Sequence, residues 1–153
     1  MDFPHSPVIL RECRPGDVDR LLEIDRICFP PDQAYSRAEM LFYLKRRSSI
    51  GLAAERDGEI LGFAIGHVAG GSISRVITLD VIPEARRWKI GTGLMEALHG
   101  EFRSRGASRA VLEVDTANTG AQRFYHTFGY KRIELLPGYY KGHADAYRMS
   151  LDL

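Results

Sequence analysis

The spacing of apolar residues predicts one strand followed by two helices in the first part of the chain. Residues 8–13 alternate as a strand, and a broad apolar stripe at helical spacing then predicts a helix from its N-cap Asp17 to about Ile27. Ser36 and Glu39 form a capping box, which predicts the start of the second helix.

Three strands are predicted next, the first two as a hairpin around Asp57-Gly58. These strands cover residues 50–56, 59–68 and about 74–82. The remaining elements are a helix with its apolar side at 94–102, a strand at 110–115, a helix at 118–129, and two final strands, the last fed by a loop at 139–149. This order predicts one mixed α/β domain over residues 1–153.

The segment 111–130 predicts a strand that leads into a helix, and it carries the main candidate chemistry. Alternation divides the strand into an apolar face and a second face, with Ala110, Leu112 and Val114 on the first and Val111, Glu113 and Asp115 on the second. Asn118 is predicted as the helix N-cap, and Tyr125 lies on its side of the helix, two turns further on. Glu113 and Tyr125 therefore converge on one cleft as a candidate acid/base pair.

Composition excludes several classes of function. The chain has 153 residues, 44% of them hydrophobic and 27% charged, as in a soluble globular protein. A formal net charge of +1 gives no broad basic surface for nucleic acid. The longest uncharged run, residues 61–74, is broken by glycines and is too short to cross a bilayer. The first ten residues lack the pattern of a secretory signal.

Cysteine and histidine usage predicts neither a disulfide framework nor a metal centre. Cys13 and Cys28 are expected to be free thiols in the cytoplasm, and Cys28 is interpreted as a small buried residue rather than a nucleophile. The five histidines lack the spacing and the cysteine companions of a metal site.

Residues 86–93 lie where a strand gives way to a helix, and they combine basic side chains with glycines. Amides at a helix start bind anions, and small residues let a phosphate come close. On this segment alone, a phosphate site and a simple turn are about equally supported. The segment contains neither a P-loop nor a GxGxxG sequence.

Taken with the segment at 111–130, the motif Arg86-x-x-Lys89-x-Gly91 resembles the pyrophosphate loop of the GCN5-related N-acetyltransferases (GNAT). The resemblance runs from Val8 to Leu153, with the elements in the family order. It implies a twisted, mostly antiparallel sheet of about seven strands, flanked by four helices and splayed where acetyl-CoA binds. It implies acetyl-CoA contacts from Leu79, Asp80, Val81, Arg86, Arg87, Trp88, Lys89, Ile90, Gly91, Thr92, Gly93, Asn118 and Tyr125.

A further set of motifs is similar to the branch that acetylates protein N-termini, which includes the ribosomal-protein alanine acetyltransferases. The motifs are Leu112-Glu113-Val114, Asn118, Ala121, Tyr125, Gly129-Tyr130, Tyr139-Tyr140 and Asp145-Ala146-x-x-Met149. By this resemblance Glu113 is the general base, acting through water, and Tyr125 donates to the departing thiolate. A peptide N-terminus, such as that of a ribosomal protein, would lie between walls formed by Phe29, Pro30, Tyr35 and Tyr139. Direct attack needs no acyl-enzyme, and the protein is expected to be a monomer or weak homodimer.

The sequence departs from the family pattern at two positions. Lys89 replaces the first glycine of the loop, and Asp115 stands where the branch carries arginine, which makes the acceptor rim more acidic. Three alternatives stay open: acetylation of a small amine, acetylation of a lysine side chain, and a non-catalytic acyl-CoA-binding module. Both candidate catalytic residues also have a purely structural interpretation. Glu113 could be a solvated residue at a strand edge, and Tyr125 could be an aromatic residue of the core.

Overall fold

The computed structural model describes residues 6–153, which form a seven-stranded open sheet and four α-helices. The strands are β1 (Ile9–Glu12), β2 (Ser49–Arg56), β3 (Glu59–Val68), β4 (Ile73–Val81), β5 (Arg109–Asp115), β6 (Lys131–Tyr140) and β7 (Ala144–Asp152). The helices are α1 (Val18–Cys28), α2 (Arg37–Lys45), α3 (Ile90–Ser104) and α4 (Thr119–Thr127), with 3-10 turns at Pro15–Asp17 and Pro83–Trp88. The predicted fold and element order are confirmed.

Local hydrogen bonds explain why two of these elements begin where the sequence predicts. Ser36 accepts a hydrogen bond from the amide of Glu39 at 3.1 Å, and the Glu39 carboxylate accepts one from the amide of Ser36 at 3.0 Å. Asp57 and Gly58 both have positive φ, as the tight turn between β2 and β3 requires. Asp17 precedes α1 without capping it, because its carboxylate instead accepts from the amide of Arg14 and from Arg11.

The sheet order is β1-β2-β3-β4-β5-β7-β6, and neighbouring strands are antiparallel except β4 and β5. Helices α3 and α4 pack on one face, which we call the α3/α4 face, and α1 and α2 pack on the other, the α1/α2 face. As predicted, Ala110, Leu112 and Val114 belong to the core of the α3/α4 face. The two cores give each face of the sheet its own helical cover.

The parallel pair β4 and β5 is joined over only three residue pairs, from Ile73–Arg109 to Arg75–Val111. Beyond this point β4 bulges, since Ile65 on β3 pairs with Thr78 and Gly66 pairs with Val76, which leaves Ile77 unpaired. A bulge bends the strand that carries it. The two strands therefore separate, as the sequence resemblance implies, and a gap opens in the middle of the sheet.

The predicted loop at 139–149 differs from the structure. Tyr139 and Tyr140 are the last residues of β6, and a turn at residues 141–143 connects them to β7. Tyrosine is enriched in strands, and this preference is consistent with the observed position of the pair. None of the helices in residues 6–153 is long and apolar enough to cross a membrane.

Candidate active site

The gap between β4 and β5 forms a cavity of about 720 Å³ that is lined from both faces of the sheet. Eleven of the residues predicted from the sequence line it: Phe29, Tyr35, Leu79, Val81, Arg86, Lys89, Gly91, Thr92, Glu113, Asn118 and Tyr125. Seven predicted residues do not: Pro30, Asp80, Arg87, Trp88, Ile90, Gly93 and Tyr139. The structure thus brings both candidate catalytic residues and the start of α3 to one cavity.

The residues that lie outside the cavity have other surroundings. Ile90 is buried in the core of the α3/α4 face, and the ring of Trp88 lies 4.1 Å from the guanidinium of Arg56. Asp80 is buried, and its side chain is hydrogen-bonded to Thr78 and lies close enough to Asp25 of α1 to interact with it. Only its backbone is left to serve the predicted contact with acetyl-CoA.

The start of α3 at the cavity has free amides and positive charge. Lys89 precedes the helix with φ of 55° and ψ of 30°, and no side chain caps the helix amides. Arg86 lines the cavity beside Lys89, and its Nε donates to the carbonyl of Val81 at 3.2 Å. Free amides at a helix start bind anions, and two basic side chains strengthen this preference.

Gly91 adds room at the same helix start. A Cβ at this position would meet the ring of Phe124 at 3.4 Å, which is an ordinary contact. The protein's own packing therefore does not demand glycine here. Closer approach by a ligand is the remaining physical reason for a residue without a side chain.

Glu113 lies on the wall formed by β5, and several groups surround its carboxylate. Arg75 forms an ion pair with Oε1, and the hydroxyl of Tyr139 donates to the same oxygen at 3.1 Å. The Nε of Arg148 lies 3.9 Å from Oε2, beyond hydrogen-bonding distance. Oε2 is buried and accepts no hydrogen bond from the described residues, and the Nε of Arg148 is likewise without a hydrogen-bond partner among them.

The connection from β5 to α4 is fixed by side chains that satisfy its backbone. Asp115 Oδ1 accepts from the amide of Ala117 at 2.8 Å, and Asn118 caps α4 by accepting from the amide of Ala121 at 3.1 Å. The buried Gln122 donates to the carbonyls of Asp115 and Thr116. These bonds fix the direction in which α4 leaves the sheet.

Tyr125 projects from α4 into the cavity and packs against the core of the α3/α4 face. Its hydroxyl makes no hydrogen bond with the described residues. Burial raises the pKa of this phenol, and the nearby Asp80 and Tyr140 raise it further. The hydroxyl thus stays protonated at neutral pH and is able to donate into the cavity.

The predicted acceptor walls are only partly formed by the expected residues. Phe29 and Tyr35 line the cavity, whereas Pro30 does not, and Tyr140 lines it in place of Tyr139. Tyr139 contacts Glu113 instead, as described above. Because adjacent strand residues point to opposite sides, the sequence could not decide which of the two tyrosines faces the cavity.

Sequence reasoning missed Gln33, Arg75 and Arg148. Gln33 donates to Asp115 Oδ2 at 2.7 Å, so the loop before α2 is joined to the end of β5. Arg148 stands opposite Glu113 in the β5–β7 register, and Arg75 reaches Glu113 from β4. Strand pairing places Arg75 and Arg148, and packing of the loop on the sheet places Gln33, and no local motif signals either contact.

Cys28 also differs from expectation. It is half-buried and lines the cavity, with its thiol donating to the carbonyl of Val81 at 3.4 Å. Burial raises the pKa of this thiol, so it is protonated at neutral pH. Neither Cys13 nor Cys28 forms a disulfide.

Within residues 6–153, no group of three or more His, Cys, Asp or Glu side chains is placed to hold a metal ion. His5, one of the five histidines in the sequence-based prediction, lies outside the described residues.

Residues 18–130 match the sequence profile of the Acetyltransferase (GNAT) family. The chain belongs to this family.

The relatives and the solved structure that follow match this GNAT protein over nearly its whole length. An uncharacterized N-acetyltransferase of Methanocaldococcus jannaschii is 33% identical over 143 residues, covering 93% of this chain and 90% of that protein. An N-alpha-acetyltransferase of Sulfurisphaera tokodaii is 28% identical over 156 residues, covering 94% and 92%. The crystal structure of Ard1 from Thermoplasma volcanium superposes with a TM-score of 0.87 at 26% identity, covering 95% of this chain and 97% of that one.

Acetyl-CoA is the co-substrate of this GNAT N-acetyltransferase, and the cavity fits it. The uncapped start of α3, with Arg86 and Lys89, suits the pyrophosphate. The separated part of β4 presents Leu79 and Val81 to the cavity, where β5 no longer pairs with them, so their backbone is accessible to the amides of the pantetheine arm. Tyr125 and Glu113 line the same cavity.

Replacing Lys89 by glycine tests whether its charge compensates for its unfavourable backbone. Because Lys89 has positive φ, Lys89→Gly should raise the free energy of unfolding by about 1 kcal/mol, as measured by urea denaturation. The lost charge should weaken acetyl-CoA binding by about fivefold in a calorimetric titration, and less at high salt.

Lys141→Gly is the matched control, since Lys141 has φ of 53° in the β6–β7 turn, and it does not line the cavity. This variant should gain similar stability and keep the wild-type affinity for acetyl-CoA. Unchanged or tighter acetyl-CoA binding by Lys89→Gly would contradict a phosphate contact by Lys89.

Proposed function

We propose that this chain is one N-acetyltransferase domain, over residues 1–153, that transfers acetyl from acetyl-CoA to the α-amine of a protein or peptide N-terminus. The observation that carries the proposal is the gap in the sheet. Glu113 lies on the strand face away from the α3/α4 core, and Tyr125 packs on the α3/α4 side, yet both line the gap. A base and an acid are thus available on opposite sides of one reaction centre.

Glu113 is proposed to remove the proton of the acceptor ammonium through a bound water. A protonated amine has no lone pair for attack, so the neutral amine must form at the site. Oε2 is the oxygen with accepting capacity left, because Oε1 is already engaged by Arg75 and Tyr139. The two arginines hold the carboxylate in place while it receives the proton.

Tyr125 is proposed to stabilise the departing thiolate. Its phenol has a pKa raised above the ordinary value, whereas an ordinary thiol has a pKa of about 8.5. Complete transfer of the proton from phenol to thiolate is therefore unfavourable, and a charge-assisted hydrogen bond is the favoured interaction. Cys28 takes no part as a nucleophile, since burial keeps its thiol protonated.

A peptide acceptor is supported by the shape and composition of the α1/α2 side of the cavity. Phe29, Tyr35 and Tyr140 give it aromatic walls, and the hydrogen bond between Gln33 and Asp115 crosses its rim. The name of the Sulfurisphaera relative, N-alpha-acetyltransferase, supports the same acceptor class. Asp115 forms no ion pair with the described residues, which favours acceptors with a basic group. The free thiols of both cysteines support a cytoplasmic location.

The direct test measures free thiol released from acetyl-CoA with a panel of short peptides that differ in their first residues. Polyamines and peptides with a blocked N-terminus and one lysine are included for comparison. We expect turnover with unblocked peptides, and faster turnover when the second residue is basic. Turnover only with polyamines or lysine side chains would reject the α-amine, and acetyl-CoA binding without turnover would favour a non-catalytic module.

Glu113→Gln should reduce kcat/KM strongly at pH 7 and less at high pH. The α-amino group has a pKa of about 8, so at alkaline pH it is neutral without help from a base. The measurement is the pH profile of kcat/KM for one peptide, with wild type and variant compared. An equal loss at every pH would mean that Glu113 serves only to hold Arg75 and Arg148.

Tyr125→Phe should lower kcat about 10- to 100-fold and change the Kd for acetyl-CoA by less than about twofold, because only a hydrogen bond to the thiolate is lost. Tyr130→Phe is the matched control. Tyr130 is buried and its hydroxyl pairs with His99 at 2.8 Å, so this variant should lose about 1–3 kcal/mol of stability and keep kcat. A wild-type kcat in Tyr125→Phe would reject its role with the thiolate.

A further inference from the structure

Two aspartates that the proposed chemistry does not use are buried beside the cavity. Asp25 lies in the last part of α1 and is 0% exposed, and Asp80 lies near the end of β4 and is 1% exposed. Neither forms an ion pair with an arginine, lysine or histidine among residues 6–153. Two ionised carboxylates without a cation would be very costly at such burial.

The hydrogen bonds of Asp25 and Asp80 leave two buried carboxyl oxygens without a donor. Asp25 Oδ2 accepts from the amide of Tyr35 at 2.7 Å, and Asp80 Oδ1 accepts from the hydroxyl of Thr78. The other two oxygens, Asp25 Oδ1 and Asp80 Oδ2, are buried without a donor, although the two carboxyl groups lie close enough to interact with each other. Ionised carboxylates only accept, so one proton must supply the donor.

We infer that Asp25 and Asp80 share one proton at neutral pH, and that this O–H···O bond positions the acceptor wall of the cavity against β4. The two carboxyl groups are positioning groups, since neither aspartate lines the cavity and only the backbone of Asp80 is left for the predicted contact with acetyl-CoA. The shared proton does not depend on which amine is the acceptor.

The contacts of Tyr35 explain how the proton acts on the wall. The Tyr35 amide is held by Asp25, and its hydroxyl donates to the carbonyl of Ile77, the bulged residue of β4, at 3.2 Å. The loop that ends at Tyr35 also carries Phe29 and Gln33 into the cavity. Loss of the shared proton would place two negative charges side by side and push α1 and this loop away from β4.

The titratable groups around the pair do not replace the proton. Cys28 of α1, Tyr35 of the loop and Tyr125 of α4 face Asp80, and burial raises the pKa of all three, so they are neutral at pH 7. Arg86 contacts Cys28 of α1 and forms an ion pair with neither carboxyl group.

Burial, the hydrogen bond to Asp25 and the charge of Asp25 raise the pKa of Asp80 well above 3.8. The folded state therefore holds the proton more tightly than the unfolded state. The stability from this bond is fully present below the unfolded pKa and is lost as the pH rises through the raised, folded pKa. The Tm of the wild-type protein should therefore fall as the pH rises from the unfolded pKa of Asp80 through its raised, folded pKa.

Infrared spectroscopy of the whole protein tests the shared proton directly. At neutral pH, wild type should show the carbonyl stretch of one protonated carboxylic acid, which Asp80→Asn and Asp25→Asn should each remove. Asp19→Asn, at an exposed position of α1, is the matched control and should keep the band. Absence of the band in wild type, or its persistence in both Asp80→Asn and Asp25→Asn, would overturn the inference even if one variant fails to fold.

Hydrogen exchange tests the effect on the acceptor wall. The amide group introduced by Asp80→Asn would still donate to Asp25, so this variant should retain slow exchange of the Tyr35 amide and lose the pH dependence of Tm. Asp80→Ala removes the donor and should speed exchange of the Tyr35 amide at least about tenfold. Equal exchange of the Tyr35 amide in wild type and Asp80→Ala would show that the pair does not position the loop.

Discussion

The site depends on the point at which β4 stops pairing with β5. Parallel pairing ends at Arg75, and two residues later the bulge at Ile77 bends β4 away from its neighbour. In a regular sheet the interior of a central strand has no unpaired backbone, but here one edge of each strand is left for a ligand. The hydroxyl of Tyr35 donates a hydrogen bond to the carbonyl of the bulged residue Ile77, so this one backbone group is already satisfied. Without the bulge there would be neither a cavity nor a route across the sheet.

The two ends of the cavity have opposite electrostatic character. At the start of α3, free amides join Arg86 and Lys89 to favour an anion. On β5, the charge of Glu113 is balanced by Arg75 and the nearby Arg148, whereas Asp115 has no cationic partner among the described residues. The charges of the lining thus favour an anionic group at the start of α3 and a cationic group beside Asp115.

Local chemistry made much of this structure predictable. The capping box at Ser36, the turn at Asp57-Gly58 and the cap at Asn118 each act within a few residues, so the sequence alone located these boundaries. The faces of β5 followed from alternation, which placed Leu112 in the core and Glu113 on the opposite face.

What could not be predicted depends on residues far apart in sequence. The partners of Glu113 come from β4, β6 and β7, and their register is set by strand pairing. The same is true of the bulge at Ile77 and of the contact between Asp25 and Asp80. Adjacent tyrosines at the end of β6 show the limit most simply, because a shift of one residue exchanges cavity and rim.

A cavity lined from both faces of the sheet also has a kinetic consequence. The direct attack proposed in this cavity requires the nucleotide-bearing substrate and the amine to occupy the protein at the same time. The reaction then proceeds through a ternary complex of the protein with both substrates. Parallel lines in a double-reciprocal plot indicate a covalent acyl-enzyme and are therefore not expected.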